Sequence, residues 1–129
     1  MFMLFEDRNL IKNIKYDIEE LDYLYVNWDH NILELYTLVI YDTTNKTTNG
    51  LYVNIKGNDV FNSNCIVNYM CRGHSEITYY TFSIYKQTKA FTSIKNITYD
   101  NINDYISLLG QIFICVDPIN KNYFITESF

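Results

Sequence analysis

The sequence is poor in the residue types from which catalytic, metal-binding and helical structures are usually built. Its two histidines, His30 and His74, do not stand in a His-x-x-x-His, Cys-x-x-Cys or Glu-x-x-His pattern, so a zinc site is not expected. Its four glycines are too scattered to form a phosphate-binding loop. Alanine, the strongest helix former, occurs only at Ala90, and this scarcity argues against a helical bundle.

Three cysteines are too few, and odd in number, for a complete disulfide framework. Cys65, Cys71 and Cys115 all lie in apolar runs, where a free cysteine behaves as a small buried hydrophobe. Cys65 and Cys71 fall on one predicted strand, about 20 Å apart, which is too far to share a metal ion. We therefore predict no disulfide, no metal and no cofactor, and a reducing compartment.

Long apolar runs are also missing. No stretch approaches the ~20 apolar residues that a membrane-spanning helix needs. The apolar start, residues 1–5, is short, lacks a basic leader and is followed by two acids, so a signal peptide is not expected. No linker or repeat divides the chain, and the sequence therefore predicts a single cytoplasmic domain over residues 1–129.

Positive charge is scarce in the first third of the chain. The net charge is -5, and residues 1–42 contain nine acids and three bases, whereas residues 43–129 contain six acids and seven bases. An acidic protein is a poor ligand for nucleic acid or an anionic membrane, so neither partner is expected. The acidic third is either a solvated face or a docking surface for a basic partner.

Tyrosine and phenylalanine are abundant, at 13 and 8 residues, and both favour half-buried strands. We predict an α+β fold with a curved, mostly antiparallel sheet of about seven or eight strands flanked by two helices. The second predicted strand, 32–41, is apolar on both faces and is therefore expected inside the sheet. Leu51, Val53 and Ile55 are expected on one face of the next strand. The predicted strands are 21–28, 32–41, 51–56, 65–71, 76–86, 91–98, 112–116 and 122–126.

Two segments show helical spacing of apolar residues. Residues 6–17 carry such a pattern, although the alternation of Ile14, Tyr16 and Ile18 also suits a strand. Residues 100–110 show a clearer pattern, with Asp100 as the predicted cap and Gly110 as the predicted stop. The remaining polar stretches, 42–50 and 57–64, and the segments around 29–31, 72–74 and 117–118 are expected to be loops or turns.

No group of residues predicts a reaction. Residues 72–76, Arg-Gly-His-Ser-Glu, contain the residue types for acid–base chemistry, but a solvated turn offers no dry cleft in which to shift a pKa. Glu19, Glu20 and Asp22 are clustered, but their sequential placement points their carboxylates apart rather than across a cleft. We therefore predict a protein that is not an enzyme.

The acids of the first third are interleaved with aromatic residues. Tyrosine and tryptophan are strong interface anchors, and acids supply steering toward a basic target. In the alternative reading the aromatic residues fill the core and the acids keep the rim solvated. The predicted partner-binding residues are Asp17, Glu19, Glu20, Asp22, Tyr23, Tyr25, Trp28, Asp29 and Glu34.

In size, charge and lack of catalytic motifs, and loosely over residues 17–42, the chain resembles the small acidic immunity proteins of bacterial toxin systems, including contact-dependent growth inhibition. The resemblance implies a non-enzymatic inhibitor that neutralises a cognate toxin, such as a nuclease, by plugging its basic cleft. Two other classes remain open. One is a small-ligand-binding or sequestering domain whose tyrosines line a sheet cavity, and the other is a phage or viral inhibitor of host defence or structural component.

Overall fold

Seven strands form one open antiparallel sheet in the computed structural model, which describes residues 14–21, 24, 26–70 and 75–128. The strand order is β1-β7-β6-β5-β2-β3-β4, and every pairing is antiparallel. The α+β class and the seven-stranded sheet are thus confirmed. The elements are β1 (Lys15–Asp17), α1 (Ile18–Leu21), β2 (Leu35–Asp42), β3 (Thr47–Lys56), β4 (Asn64–Val67), β5 (Thr78–Gln87), α2 (Tyr99–Ile102), a 3-10 turn (Asn103–Tyr105), β6 (Ile106–Asp117) and β7 (Asn122–Ser128). Among the described residues, no helix is long and apolar enough to cross a membrane.

Two hairpin turns share the sequence pattern Asp-x-x-Asn-Lys, at 42–46 and 117–121. In each turn the aspartate accepts hydrogen bonds from two backbone N–H groups and from the asparagine side-chain amide, which lies 2.8 Å away. The following lysine takes a left-handed conformation, with φ of 56° at Lys46 and 54° at Lys121. The side-chain bonds replace backbone bonds in the turn, as Asx turns do. The predicted loop 42–50 is consequently shorter, and β3 already begins at Thr47.

The inner face of the sheet carries the larger hydrophobic core. We use this name for the face that bears Leu38, Phe82 and Ile114, all at most 1% exposed. Residues of the segment 16–28 and of the loops after β3 and β4 pack onto it. They are Tyr16, Ile18, Leu21, Leu24, Val26, Trp28, Val60 and Tyr69.

The outer face, which bears Val39, Ser83 and Gln111, has a smaller core. Ile97 and Ile102 from the segment after β5 cover its β2–β3 side. β2 is thus apolar on both faces and lies between β3 and β5, as its sequence predicted.

A β-bulge changes which residues of β3 face the inner core. Tyr36 pairs with Ile55 and Leu38 pairs with Tyr52, so two residues of β3 oppose the single residue between them on β2. Asn54 in this bulge has a φ of 56°. The bulge turns Ile55 to the inner face while Leu51 and Val53 stay on the outer face. The prediction that these three residues share one face is therefore wrong.

The helix predicted over 100–110 is confirmed only at its start, since α2 and the 3-10 turn end at Tyr105 and the rest of the range belongs to β6. Thr98, rather than Asp100, caps α2, and its hydroxyl and the Asn101 side chain form a capping box. The chain leaves the helix after one turn and pairs with β5 from Ile106 onward, placing Gly110 opposite Ile84 inside β6. The strand predicted at 91–98 is not formed either, and these residues form a loop with turns.

The N-terminal elements differ from their predictions as well. Of the predicted helix 6–17, residues 6–13 lie outside the described residues, and 15–17 form β1. Leu21, at the start of the predicted strand 21–28, belongs to α1, and among the described residues of that range only Trp28 forms a bridge. The alternating apolar residues at 14, 16 and 18 were the signal for β1. The predicted strand 65–71 is shorter, since β4 ends at Val67, and the predicted turn 72–74 lies outside the described residues.

Candidate functional site

An acidic turn, which we define as residues 17–20, is formed by the last residue of β1 and the first three residues of α1. Asp17, Glu19 and Glu20 are all exposed. The Asp17 carboxylate accepts a hydrogen bond from the Glu19 backbone N–H at 3.2 Å, which fixes the start of the helical turn. Within the described part of the chain, none of the three carboxylates forms an ion pair with a lysine. Their charges lie at the surface of the described structure.

The acidic turn is held on both sides by packed structure. Asp17 pairs with Asn122 on β7, and the Ile18 backbone N–H donates to the carbonyl of Lys121 at 3.3 Å. Directly after the turn, Leu21 is 1% exposed, and its carbonyl accepts a hydrogen bond from the Tyr69 hydroxyl at 2.6 Å. The backbone that carries the three acids is thus fixed to the sheet rather than free to follow a partner.

Glu20 also acts on a buried phenol of the sheet. Tyr123 is fully buried and stacks on Tyr16 with a centroid distance of 5.4 Å. Burial raises the pKa of the Tyr123 hydroxyl, and the nearby Glu20 carboxylate raises it further. Tyr123 therefore stays uncharged near neutral pH, and the net negative charge of this region comes from the carboxylates.

A second candidate surface is a double loop, defined as residues 29–34 and 57–62. The Gly57 backbone N–H donates to the Glu34 carbonyl at 3.2 Å, and the Asn58 side-chain amide donates to Asn27 at 2.7 Å. Gly57 has a φ of 62°, and a Cβ at this position would lie 3.2 Å from His30 Cδ2. A glycine is needed here both for its backbone conformation and for the close approach of the two loops.

The double loop exposes large apolar side chains beside acids. Ile32 is 67% exposed, Leu33 is 86% exposed and Phe61 is 72% exposed. Asp29 and Asp59 are exposed in the same two loops. Exposed apolar groups rimmed by charge are typical of protein-binding surfaces.

One predicted acid of the double loop is partly neutralised. The Glu34 carboxylate is half-buried and lies 3.6 Å from Lys86 Nζ on β5. Both side chains remain substantially exposed, so the pair contributes little to folding stability. Glu34 therefore offers a weaker docking charge than Asp29.

Trp28 was predicted to bind a partner, and the structure corrects this. It is 2% exposed and packs edge-to-face on Tyr36, with a centroid distance of 5.7 Å. Its backbone carbonyl accepts a hydrogen bond from His30 Nδ1 at 2.8 Å. Trp28 thus supports the double loop from inside the core and does not reach a partner.

The predicted acids do not converge on one patch. Three strands lie between β1 and β2, and Asp17 is level with the end of β2 rather than its start, so Asp17 and the start of β2 are separated by about 19 Å across the strands and by about 30 Å along them. Asp17, Glu19 and Glu20 lie at the β1 edge, while Asp29 and Glu34 lie in the double loop. Asp22, Tyr23 and Tyr25 lie outside the described residues, as do His74 and Cys71.

Sequence reasoning missed the apolar residues of the double loop. Ile32 and Leu33 were assigned to a strand, where they would be buried, and Phe61 stood in a loop predicted as polar. A large apolar residue within the polar stretch 57–64 was the available signal for Phe61.

The two described cysteines differ in burial. Cys115 is 4% exposed, as predicted, and burial raises the pKa of its thiol. Cys65 is exposed on the edge strand β4, so its predicted burial is wrong. Over the ranges that the structure describes, no three His, Cys, Asp or Glu side chains come together as a metal-binding group.

Comparison of the sequence with protein-family models gives no match, and comparison with curated protein sequences gives no significant match.

Proposed function

We propose that this protein is a non-enzymatic inhibitor that binds a basic protein partner, as an immunity protein binds the basic cleft of a nuclease toxin. The observation that carries the proposal is the acidic turn. It holds three exposed carboxylates without a described ion pair on a backbone that is fixed at both ends. A preorganised array of like charges attracts a surface of opposite sign and loses little entropy when the two meet.

Charge alone does not supply high affinity, because an exposed ion pair contributes only about 0.2–1 kcal/mol. The double loop offers the apolar contribution. Burying one side chain of the size of Leu33 or Phe61 stabilises a complex by about 1.5–3 kcal/mol. In the proposed complex the acidic turn therefore speeds encounter, and the double loop slows dissociation.

A partner that contacts both surfaces needs an interface larger than the standard size. They stand at the two ends of the same segment, which crosses the inner face between Asp17 and Glu34 and whose middle packs into the core through Leu21, Val26 and Trp28. A standard interface covers about 800 Å² on each partner, which corresponds to a patch about 28 Å wide. The acidic turn and the double loop are separated by about 19 Å across the strands and by about 30 Å along them, so an interface that contains both is wider than this patch and belongs to the larger class.

Co-purification from the native organism identifies the partner, and kinetic binding measurements then test the charge mechanism. We expect Glu19→Lys with Glu20→Lys to lower the association rate by about tenfold or more at low salt, and high salt to remove most of the difference. Asp100→Lys with Asp104→Lys is the matched control, because it reverses the same number of exposed acids in a segment that packs on the outer face. An association rate that changes neither with the charge reversals nor with the salt concentration would refute the proposal.

The apolar contribution is tested by a separate variant. Leu33→Ser removes the most exposed large apolar side chain of the double loop and leaves its charge unchanged. We expect a faster dissociation rate with a nearly unchanged association rate. If Leu33→Ser leaves dissociation unaltered, the double loop is not part of the interface.

A further inference from the structure

A groove lies on the outer face, between the open part of the sheet and α2. It encloses about 560 Å³, within the range of small-molecule sites. Its floor is formed by neighbouring strands, since Tyr41 on β2 pairs with Thr81 on β5, and Thr81 pairs with Phe113 on β6. In the next row Ser83 pairs with Gln111. Residues that pair across strands project from the same face, so these side chains surround one opening.

The charged and aromatic groups that line the groove all favour positive charge. Of the eleven described residues that line it, one is a carboxylate, Asp100, and none is a lysine, arginine or histidine. Four of the residues that line the groove are aromatic, namely Tyr41, Tyr85, Tyr99 and Phe113. Aromatic faces carry negative partial charge, so both kinds of group favour a cation and disfavour an anion.

The spacing of two aromatic residues matches the size of a cationic group. Thr81 separates Tyr41 from Phe113, and strands lie about 4.8 Å apart, which places the two Cα atoms about 10 Å from each other. Side chains that project from two such positions can both approach a cation between them within the ~6 Å of a ring centroid at which cation–π attraction operates. Thr81 lies between the two aromatic residues and lines the floor of the groove.

The polar groups of the groove are largely engaged with one another. Gln111 Nε2 donates to Ser83 Oγ at 3.0 Å, and the hydroxyls of Tyr85 and Tyr99 share a hydrogen bond of 2.9 Å. Burial, and then the bond with Tyr99, raises the pKa of Tyr85, so this hydroxyl stays protonated. The aromatic ring faces and the Asp100 carboxylate are the groups of the groove that attract a cation.

We propose that this groove is a binding site for an organic cation of the alkylammonium class, held between Tyr41 and Phe113 with Asp100 as the counter-charge. The site is independent of the proposed inhibitor function, because it lies on the face opposite the acidic turn and the double loop. Loss of one activity therefore does not predict loss of the other.

Choline is the probe that tests this proposal. Titration of choline chloride into the full chain at low salt, followed by backbone amide spectra, should give saturable shifts at Thr81, Ser83 and Gln111. Glucose and acetate, as neutral and anionic probes, should give none there. Absence of saturable choline shifts, or equal shifts with glucose, would overturn the proposal.

Two variants and a matched control locate the site. Asp100→Asn and Phe113→Leu should each weaken choline binding by about threefold or more, since each removes one attraction. Asp104→Asn removes an acid four positions further on that does not line the groove, and binding should not change. Tyr41→Leu removes the aromatic ring on the other side and tests the same contact with choline if Phe113→Leu fails to fold. Equal binding by the Asp100→Asn and Asp104→Asn variants would show that the groove does not provide the counter-charge.

Discussion

The two faces of the sheet are built from the same strands, yet they differ in what covers them and in what they leave free. The inner face is filled by large apolar side chains, and described residues of the segment 16–28 pack over it. The outer face carries a row of hydroxyl, amide and aromatic residues and is covered mainly on its β2–β3 side, by the segment after β5. The inner face therefore supplies most of the folding stability, and the outer face has room for a ligand.

The largest expected effect comes from comparing one phenylalanine on each face. Phe82 is 1% exposed on the inner face, and Phe113 is half-buried on the outer face. Phe82→Ala should lower the free energy of unfolding by about 3–5 kcal/mol, and Phe113→Ala by about 1–2 kcal/mol, because only the first leaves a closed cavity. Urea denaturation measures both. Equal losses would mean that the two faces contribute equally to stability.

The second comparison is between a glutamine in a buried polar network, Gln87, and one that lines the groove, Gln111. The Gln87 side chain is 4% exposed and accepts hydrogen bonds at 2.8 Å from the Thr37 hydroxyl and the Asn54 backbone N–H. Gln87→Leu leaves those donors unsatisfied and should cost about 1–3 kcal/mol of unfolding free energy. Gln111→Leu is the control in the groove, where solvent can replace the lost bond, and its cost should be smaller. A Gln87 variant as stable as the Gln111 variant would contradict this account of the network.

The cover of the outer face depends on a short helix and its cap. Thr98 Oγ accepts from the Asn101 backbone N–H at 3.4 Å, and Asn101 Oδ1 accepts from the Thr98 N–H at 2.9 Å. Thr98→Ala should cost about 0.5–1 kcal/mol and increase amide hydrogen exchange in residues 97–102, with little change on the inner face. Thr98→Ser retains the hydroxyl and is the matched control. Exchange that rises equally on both faces would show that the cover is not a separate unit.

The smallest expected effect on stability concerns the turn between β6 and β7, which lies at the end of the sheet and packs on neither face. The Asn120 side-chain amide, followed by its backbone N–H, lowers the pKa of Asp117 below its ordinary value. A carboxyl whose pKa is lower in the folded state stabilises the fold above its unfolded pKa of about 3.9, and this contribution is lost as the pH falls through the folded value. Asp117→Asn should therefore reduce stability at neutral pH and make unfolding less dependent on pH in the acid range. Parallel stability curves for the wild type and the variant between pH 2 and about pH 5 would refute this.

The hydrophobic pattern predicted the strands correctly where the secondary structure that it favours is also the one that strand pairing stabilises. Residues 32–41 and 76–86 are apolar over lengths that suit strands, and they form β2 and β5 with shifts of at most three residues at their ends. The turn at Asp117-Pro118 has its own side-chain chemistry, so it too was visible locally. These elements follow from hydrophobic pattern and turn residues, which act over a few positions.

The local sequence pattern predicted the wrong secondary structure where pairing with a distant strand determined the conformation. The apolar spacing of residues 102–109 fits a helix, yet Ile106 and its successors join β6 because β5 offers them unpaired backbone groups. Leu109 is 49% exposed as a result, so the apolar spacing does not describe a buried face. Local propensity is a weak force of tenths of a kcal/mol per residue, and strand pairing overrides it.

The sequence by itself determined the class of fold, the interior place of β2, the negative charge of the first third and the absence of a motif for catalysis. Only the tertiary structure decided that Trp28 is core, that the acids of that third divide between two surfaces, and that Tyr41, Thr81 and Phe113 meet in one groove. Composition and short-range pattern are properties of the chain alone. Which distant residues share a face depends on strand order, register and the bulge at Asn54, and these are fixed only when the whole sheet is packed.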